Sequence, residues 1–216
     1  MLDAEGRLIR RLRARSRESK ARKLRRLLAG GPRERVLLVG CGQGWTPLDL
    51  IVERAVAGEA PTVVAADLHD RVNLPWPYVR GTGLALPFGG QSFDVVLSNA
   101  VIEHVGGRPE QERFVAEHLR VAARWVITTP NRWFPIEPHT GVFLRHWTRS
   151  WRARNYDMIT RALSRRELVA LLPEGSLIIG HWWSPTIMAL GAGAADGTSA
   201  GHESAGVSDE RSPLPG

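Results

Sequence analysis

The sequence predicts an α/β protein with a doubly wound, mostly parallel sheet. Apolar strand-like segments alternate with helical segments from residue 36 to residue 129, as is typical of a parallel sheet with helices on its faces. The first segment, residues 36–39, is apolar without interruption, which indicates a strand buried on both faces. Three alternating glycines follow it directly: Gly40, Gly42 and Gly44. A strand leading into such a turn indicates a ligand site at the carboxyl ends of the strands.

The remaining elements follow from periodicity and from capping residues. Thr46 and Pro47 suit the start of a helix after the glycine turn. Four further parallel strands are predicted, at residues 62–67, 78–80, 93–99 and 125–129. Pro75 and Pro77 leave room for at most a very short helix between the second and third strands. The predicted helices of this part are residues 46–57 and 109–123.

After the fifth strand the pattern becomes irregular. Residues 131–163 are aromatic and irregular, and they are predicted to form an insertion over the substrate side of the sheet. Ser164 and Glu167 form a capping box that opens a helix to Leu172. Two closing strands are predicted, at residues 176–182 and 186–190.

Charge and composition divide the chain into three parts. Residues 1–31 hold 11 basic and three acidic residues, a net of +8, so the other 18 basic and 19 acidic residues give −1. This basic helical arm ends at a Gly-Gly-Pro break. Residues 32–190 form the predicted domain. From residue 191, 15 of 26 residues are Gly, Ala or Ser, which predicts a disordered tail over residues 191–216.

The centre of the arm carries almost no apolar side chains, since Arg13 to Lys23 contains only Ala14 and Ala21. We therefore expect the arm to add little to stability and nothing to the cofactor site. It is expected either to be solvated or to contact an anionic surface weakly. No specific nucleic-acid partner is predicted.

Cysteine content and hydropathy bear on the compartment. The single cysteine, Cys41, excludes an internal disulfide and is interpreted as a small buried residue of the turn. The arginine-rich start lacks the apolar stretch of a signal peptide, and no apolar run reaches the ~18 residues of a membrane span. A cytoplasmic setting is expected.

An acidic residue ends the second predicted strand. Asp67 lies 23 residues after Gly44, where a carboxylate can accept hydrogen bonds from the ribose hydroxyls of a nucleoside held by the glycine turn. A ligand-free turn and an ordinary surface aspartate are the alternative explanation. Two segments favour the nucleoside: Gly-Thr-Gly-Leu-Ala-Leu-Pro-Phe at residues 81–88, and Ser-Phe-Asp-Val-Val-Leu-Ser-Asn at residues 92–99, which leads into Ile-Glu-His-Val.

With these segments, residues 36–130 resemble the class I S-adenosylmethionine-dependent methyltransferases, in particular the subfamily called methyltransferase type 11. The resemblance implies a Rossmann-like methyltransferase fold with seven strands, the last of them antiparallel. It also implies S-adenosyl-L-methionine as the cofactor, methyl transfer as the activity, and a set of cofactor-binding positions. By position these are Gly40, Gly42, Gly44, Asp67, Leu68, Thr82, Gly83 and Asn99.

Two positions depart from the family pattern. The family commonly has aspartate where this chain has Leu38 and where it has Thr82. The first change removes an acid near the ammonium group of the cofactor, and the second replaces a carboxylate acceptor with a hydroxyl, which can still accept. Each change is expected to cost ~1 to 2 kcal/mol of binding free energy unless other contacts replace it.

The resemblance also indicates where the chemistry takes place. A sulfonium methyl is already activated, so alignment with the acceptor supplies most of the catalysis, and a hydroxyl acceptor would also need a base. His104 is the first candidate for this base and Glu103 the second. A histidine that only completes the turn after the strand is the alternative explanation. His139 and His146 lack a third ligand at useful spacing, so no metal is predicted.

Residues 129–139 are dense in aromatic and proline side chains and carry Arg132, Glu137 and His139. Because they follow the fifth strand, we expect them to form the acceptor wall, for a small-molecule or lipid-like substrate. A packed cap whose Trp133 and Phe134 only seal the core is the alternative explanation.

Two other functions fit parts of the pattern. An NAD(P)-dependent oxidoreductase would also use Asp67, but its fingerprint needs glycine where this chain has Trp45. A non-catalytic, degenerate methyltransferase fold that serves as a binding module would account for Leu38 and Thr82. The sequence identifies neither the acceptor nor the atom that is methylated.

Overall fold

The computed structural model describes residues 4–42, 47–69, 73–137, 142–155 and 162–193. The strands are β1 (Arg35–Val39), β2 (Thr62–Asp67), β3 (Tyr78–Arg80), β4 (Phe93–Asn99), β5 (Ala122–Pro130), β6 (Leu177–Ile179) and β7 (Thr186–Ala192). The α-helices are α1 (Ala4–Leu28), α2 (Ile51–Ala57), α3 (Arg108–Val121), α4 (Arg149–Asn155) and α5 (Arg165–Val169). Short 3₁₀ turns lie at Pro47–Leu50, Ile102–His104 and Arg145–Trp147.

Strand pairing confirms the predicted sheet. The seven strands lie in the order β3-β2-β1-β4-β5-β7-β6. Strands β1 to β5 pair in parallel, whereas β7 is antiparallel to β5 and to β6. The order reverses between β1 and β4, where ligands of doubly wound sheets bind, outside the carboxyl ends of the strands.

Each face of the sheet carries its own core. On one face, Phe114 of α3 and Leu168 of α5 pack with Trp125 of β5. On the other face, Leu24 of α1 and Val56 of α2 pack in the cluster that also contains Leu38 of β1. Because β1 and β4 are apolar on both faces, they lie buried in the middle of the sheet, as their uninterrupted apolar pattern predicts.

Helix α1 is part of this second core, which corrects the expectation that the arm adds little to the fold. Ala21, Leu24 and Leu28 are buried, and Leu24 has no exposed surface. The expectation gave most weight to the sparse apolar content of the centre of the arm, although Leu24 and Leu28 stand at a helical spacing of four. The guanidinium of Arg124 also donates to the carbonyl of Leu28 at 3.3 Å.

Several element ends differ from the prediction. The helix after the glycine turn begins as the 3₁₀ turn Pro47–Leu50. Strand β5 starts at residue 122, three residues early, because Ala122 is already extended (φ −140°, ψ 148°). Helix α5 stops at Val169 rather than 172, because the chain then tightens into turns in which Leu171 and Leu172 donate to the carbonyls three residues before them.

The two closing strands also differ from their predicted lengths. Strand β6 ends at Ile179, and Gly180 turns the chain with a φ of +120°. Strand β7 continues to Ala192, whose carbonyl accepts from the indole Nε1 of Trp125 at 2.7 Å. The predicted domain end at 190 and tail start at 191 are therefore two residues too early. Residues 194–216 lie outside the described residues.

Buried His118 on α3 should make stability depend on pH. Its Nδ1 lies 2.7 Å from the carbonyl oxygen of Phe114, and burial lowers its pKa to about 4. The unfolded chain, with an ordinary pKa near ~6.5, binds the extra proton between these values, so stability is lost as pH falls. We expect this histidine to account for ~2 kcal/mol of the unfolding free energy lost between about pH 7 and pH 5.

Urea unfolding at both pH values checks this expectation. The unfolding free energy lost between the two pH values should be smaller in His118→Leu than in the parent by that amount. The matched control, His181→Leu at an exposed position, should lose as much as the parent. An equal loss in His118→Leu and the parent would show that His118 does not contribute to the pH dependence.

Candidate functional site

Strands β1, β2 and β4 end beside one another and form the candidate site. The backbone N–H of Gly40 donates to the carbonyl of Ala66 at 2.8 Å, which joins the glycine turn to the end of β2. The Asp67 carboxylate accepts from the N–H of Gly42 at 3.0 Å and from the N–H of His69 at 3.1 Å. His69 Nδ1 lies 2.7 Å from the same carboxylate. Asp67, 7% exposed, is thus held beside the turn, as predicted.

The described glycines of the turn are needed for different reasons. Both Gly40 and Gly42 have positive φ, +69° and +67°. A Cβ on Gly40 would lie 2.5 Å from a methyl of Val101, so this position must be glycine for packing. A Cβ on Gly42 would meet no atom of the described residues within 4 Å, so in this part of the structure the backbone there borders open space. Gly44 lies outside the described residues.

These residues fit a cofactor that carries a ribose. Open space over the backbone of Gly42 lies beside a fixed carboxylate, and a carboxylate is the acceptor that paired ribose hydroxyls require. Leu68, 63% exposed, follows this carboxylate directly and offers apolar surface for a base. The contacts of Asp67, Leu68 and Gly42 with the cofactor stay predictions.

Thr82 and Gly83 form a compact turn after β3. The hydroxyl of Thr82 accepts from the N–H of Leu84 at 3.2 Å. A Cβ on Gly83 would lie 2.5 Å from the ring of Phe114, so close packing against α3 already requires glycine there. Their predicted contacts with the adenine stay predictions, and the structure adds a packing reason for Gly83.

Asn99, at the end of β4, is the centre of a hydrogen-bond network that the sequence did not reveal. Its Nδ2 donates to Glu53 Oε1 at 2.8 Å. Its Oδ1 accepts from Lys20 Nζ at 2.9 Å and from Thr128 Oγ1 at 2.8 Å. Lys20 comes from α1, so the expectation that the arm lies apart from the site is wrong. Lys20 shares a helix face with Leu24 and Leu28, and this spacing could have indicated it.

The network encloses charges of both signs. Burial lowers the pKa of Lys20 to about 8, against the attraction of Glu53 and Glu103. Burial likewise raises the pKa of Glu53, against the hydrogen bond from Asn99 and the attraction of Lys20. An ammonium between two buried carboxylates keeps this side of the site polar although the surrounding core is apolar.

Glu103 and His104 lie on the 3₁₀ turn after β4 with very different access. Glu103 has no exposed surface, and its Oε2 accepts from Thr129 Oγ1 at 3.0 Å. The His104 side chain is 42% exposed, with Nε2 at 3.8 Å from Glu103 Oε1. His104 can therefore meet an acceptor, whereas Glu103 can act only through its neighbours. The role of each as a base stays a prediction.

The insertion after β5 packs beside this edge. Arg132 donates to the carbonyl of Ala162 at 2.7 Å and to Glu167 Oε1 at 2.9 Å. His146 is buried, with Nε2 at 2.9 Å from the carbonyl oxygen of Phe134, and His139 lies outside the described residues. No group of three or more His, Cys, Asp or Glu in the described part of the chain is arranged to hold a metal ion.

Cys41 lies within the second core, as predicted. It is 8% exposed, and burial, followed by the nearby carboxylates of Glu53 and Asp67, raises the pKa of its thiol well above the ordinary value. A thiol kept protonated in this way is unreactive.

None of the helices in the described part of the chain has the length and the apolar character of a membrane span.

Comparison with known proteins shows what the central part of the chain is similar to. Residues 37–124 match the family model of the methyltransferase domain. This match covers less than half of the chain. The chain is 39% identical over 106 residues to a "probable S-adenosylmethionine-dependent methyltransferase" of Mycolicibacterium smegmatis. That alignment covers 45% of this chain, and the chain spans 38% of the length of the relative.

Solved structures of other proteins share the fold. An S-adenosylmethionine-dependent methyltransferase of Thermotoga maritima is 15% identical, with a TM-score of 0.60 over 85% of this chain and 92% of its own. The N-terminal domain of EvdMO1, solved with S-adenosylhomocysteine bound, is 18% identical, with a TM-score of 0.54 over 82% of this chain and 81% of its own. The predicted Rossmann-like methyltransferase fold, with its mostly parallel seven-stranded sheet, is thereby confirmed.

Proposed function

We propose that this methyltransferase domain transfers a methyl group from S-adenosylmethionine to a lipid-like acceptor. The supporting observation is a group of large apolar side chains, each more than a third exposed, in the segments that follow β5 and β6. We call this group the apolar rim; it consists of Trp133, Ile136, Phe143, Leu144, Trp182 and Trp183. These segments border the same edge of the sheet as Asp67, and an acceptor with an apolar part would bury their surface.

The cofactor would be held by Gly42, Asp67 and Leu68. When bound, it supplies a methyl group on a sulfonium sulfur that is already activated for displacement. The chain's residues then have to orient the acceptor and exclude water, and orientation alone is worth up to ~7 to 11 kcal/mol. Neither task needs a reactive side chain. An apolar rim with few polar side chains therefore suits this chemistry.

A hydroxyl acceptor would also need a base, and His104 is the residue placed for it. Its ring is exposed at the carboxyl end of β4, and the Glu103 carboxylate behind it would attract the imidazolium that forms on proton uptake. Glu103 is in turn fixed by the hydroxyl of Thr129. His104 would thus take the proton, and Glu103 would act as its positioning residue.

Titration calorimetry with S-adenosylhomocysteine and, separately, NADH tests the cofactor. We expect S-adenosylhomocysteine to bind and NADH not to bind. Binding of NADH alone would favour the oxidoreductase alternative, and binding of neither would favour the non-catalytic module.

The acceptor class is tested with methyl-labelled S-adenosylmethionine and cell extract separated into an organic and an aqueous phase. Enzyme-dependent label in the organic phase is the expected result. Label only in the aqueous phase would contradict a lipid-like acceptor while leaving the methyltransferase activity in place.

A further inference from the structure

We propose that the apolar rim, together with neighbouring arginines, docks onto an anionic phospholipid membrane. The inference rests on the proposed lipid-like acceptor, because such an acceptor would reach the site from the membrane on which the domain sits.

The two parts of the apolar rim are fixed to each other. Asn131, directly after β5, donates through Nδ2 to the carbonyl of Trp182 at 2.6 Å and to that of Ser184 at 3.0 Å. Its backbone N–H donates to the carbonyl of Pro185 at 3.1 Å. The loop after β6 therefore lies beside the segment after β5, at the carboxyl edge of the sheet.

The side chains of the apolar rim are presented outward in pairs. Ile136 and Phe143 face each other across an antiparallel bridge and are 45% and 63% exposed. Trp182 and Trp183, 67% and 55% exposed, contact each other with ring centroids 5.3 Å apart. Single exposed apolar residues are ordinary, but two exposed apolar pairs on adjoining segments of one edge indicate an interaction site.

The segment that supplies Phe143 and Leu144 to the apolar rim is also positively charged. Residues 142–155 carry four arginines and no acidic residue. Arg145, Arg149 and Arg154 of this segment are exposed, and the first of them directly follows Leu144 of the apolar rim. A segment that carries both exposed apolar side chains and exposed arginines is complementary to a membrane that presents phosphates above an apolar interior.

Helix α1 brings further charge to the same edge. Its end at Leu28 lies beside the start of β5, whereas Lys20 lies at the end of β4, so the helix runs antiparallel to the parallel strands. Residues 4–16 continue the helix by ~20 Å past the edge. This extension contains five arginines against Glu5. Basic segments of this kind strengthen binding to anionic lipid by about fivefold per charge at the surface.

The composition favours a membrane over a single-stranded nucleic acid. Both partners would attract arginine and tryptophan, since bases stack on aromatic rings. Ile136 and Leu144 cannot stack in this way, but aliphatic side chains insert among lipid chains beside interfacial tryptophans. The mixture of aliphatic, aromatic and cationic side chains is therefore that of a membrane-surface contact.

Co-sedimentation of the full chain with vesicles tests the proposal. We compare phosphatidylcholine alone with phosphatidylcholine containing phosphatidylglycerol, at low and at high salt. Three variants are compared with the parent. The first is the double variant Trp182→Ser/Trp183→Ser. In the second, glutamine replaces four arginines of α1: Arg10, Arg11, Arg13 and Arg15. The third, Leu177→Ser, is the control. Leu177 is 48% exposed but lies at the start of β6, away from the edge. Affinity for S-adenosylhomocysteine is measured for each protein.

The parent should bind the anionic vesicles far better than the neutral ones, and high salt should weaken this binding. The tryptophan variant should lose about tenfold or more in partitioning, the arginine variant should lose at least as much, and Leu177→Ser should match the parent. S-adenosylhomocysteine affinity should stay unchanged throughout.

Three results would overturn the docking proposal. In the first, the parent binds neutral and anionic vesicles equally well. In the second, the tryptophan variant binds anionic vesicles as well as the parent does. In the third, the parent associates with single-stranded RNA or with itself and does not bind vesicles. If vesicle binding fails while S-adenosylhomocysteine still binds, the docking surface is wrong and the methyltransferase function stands. Loss of S-adenosylhomocysteine binding in the parent would instead contradict the proposed function.

Discussion

Removal of residues 1–29 is expected to unfold the protein or to lower its free energy of unfolding by at least ~5 kcal/mol. Leu24 and Leu28 are buried against the sheet, and each fully buried leucine contributes ~1.5 to 3 kcal/mol. The deletion would also expose the apolar side chains beneath them, among them Val36 and Leu38. Urea unfolding of a protein that starts at Gly30, compared with the parent, measures the loss.

Point variants keep this prediction testable if the truncated protein does not fold. Leu24→Ala should cost ~2 to 5 kcal/mol of unfolding free energy, as buried leucines do. Lys20→Met should weaken S-adenosylhomocysteine binding, because Asn99 loses its bond to the ammonium and two carboxylates lose their counter-ion. Exposed Lys23→Met is the matched control and should change neither quantity. A truncated protein with the parent's stability and cofactor affinity would mean that α1 only rests on the surface.

The sequence predicts the sheet well because its signals are local. The apolar segments of β1, β2 and β4 are bounded by glycine, aspartate and asparagine, which end strands. Their two-sided burial is apparent in uninterrupted apolar runs. The antiparallel closing strand is predicted only through the resemblance to the family. Strand ends are less well predicted, since the last pairs of β7 depend on Trp125, more than sixty residues away in the sequence.

Helix α1 shows where local reading fails. Its buried stripe is narrow, and two of its members, Lys20 and Ala21, contribute a methylene stem and a single methyl group. A helix with such small apolar side chains appears solvated in the sequence. Packing makes the difference, because the sheet supplies the apolar partners that an isolated helix lacks.

The sequence likewise predicts some residues of the candidate site and not others. Gly42 and Asp67 follow from the strand–turn pattern, in which nucleotide-binding doubly wound sheets place a carboxylate beside a glycine turn. The contacts of Asn99 do not, because they join it to Lys20, 79 positions before it, and to Glu53, 46 positions before it. Only the folded chain brings these residues together, and no spacing rule links them.

Only the structure shows which glycines border a ligand site and which are required by packing. Gly40 and Gly83 belong to the predicted cofactor set, but both are required by packing, against Val101 and Phe114 respectively. A glycine pattern therefore marks close approach without saying what approaches. Among the described members of the set, Gly42 is the glycine whose missing side chain leaves open space.

Replacement of Asp67 with alanine is expected to weaken S-adenosylhomocysteine binding by ~1.5 to 3 kcal/mol, or about 10- to 150-fold in the dissociation constant. The carboxylate is held in place by backbone N–H groups of Gly42 and His69, so a ribose would meet a fixed, ionised acceptor. Charge-assisted hydrogen bonds of this kind are about twice as strong as neutral ones. Calorimetric titration of the variant and the parent measures the change.

Asp94→Ala is the matched control for this experiment. Its carboxylate also accepts from two backbone N–H groups, those of Glu34 at 2.8 Å and Arg35 at 2.9 Å. It lies at the start of β4, however, at the opposite edge of the sheet. Its loss should lower stability in a thermal melt without changing cofactor affinity. If Asp67→Ala changes the dissociation constant by less than about twofold, Asp67 does not contact the ribose, and its bond to Gly42 serves only to close the turn.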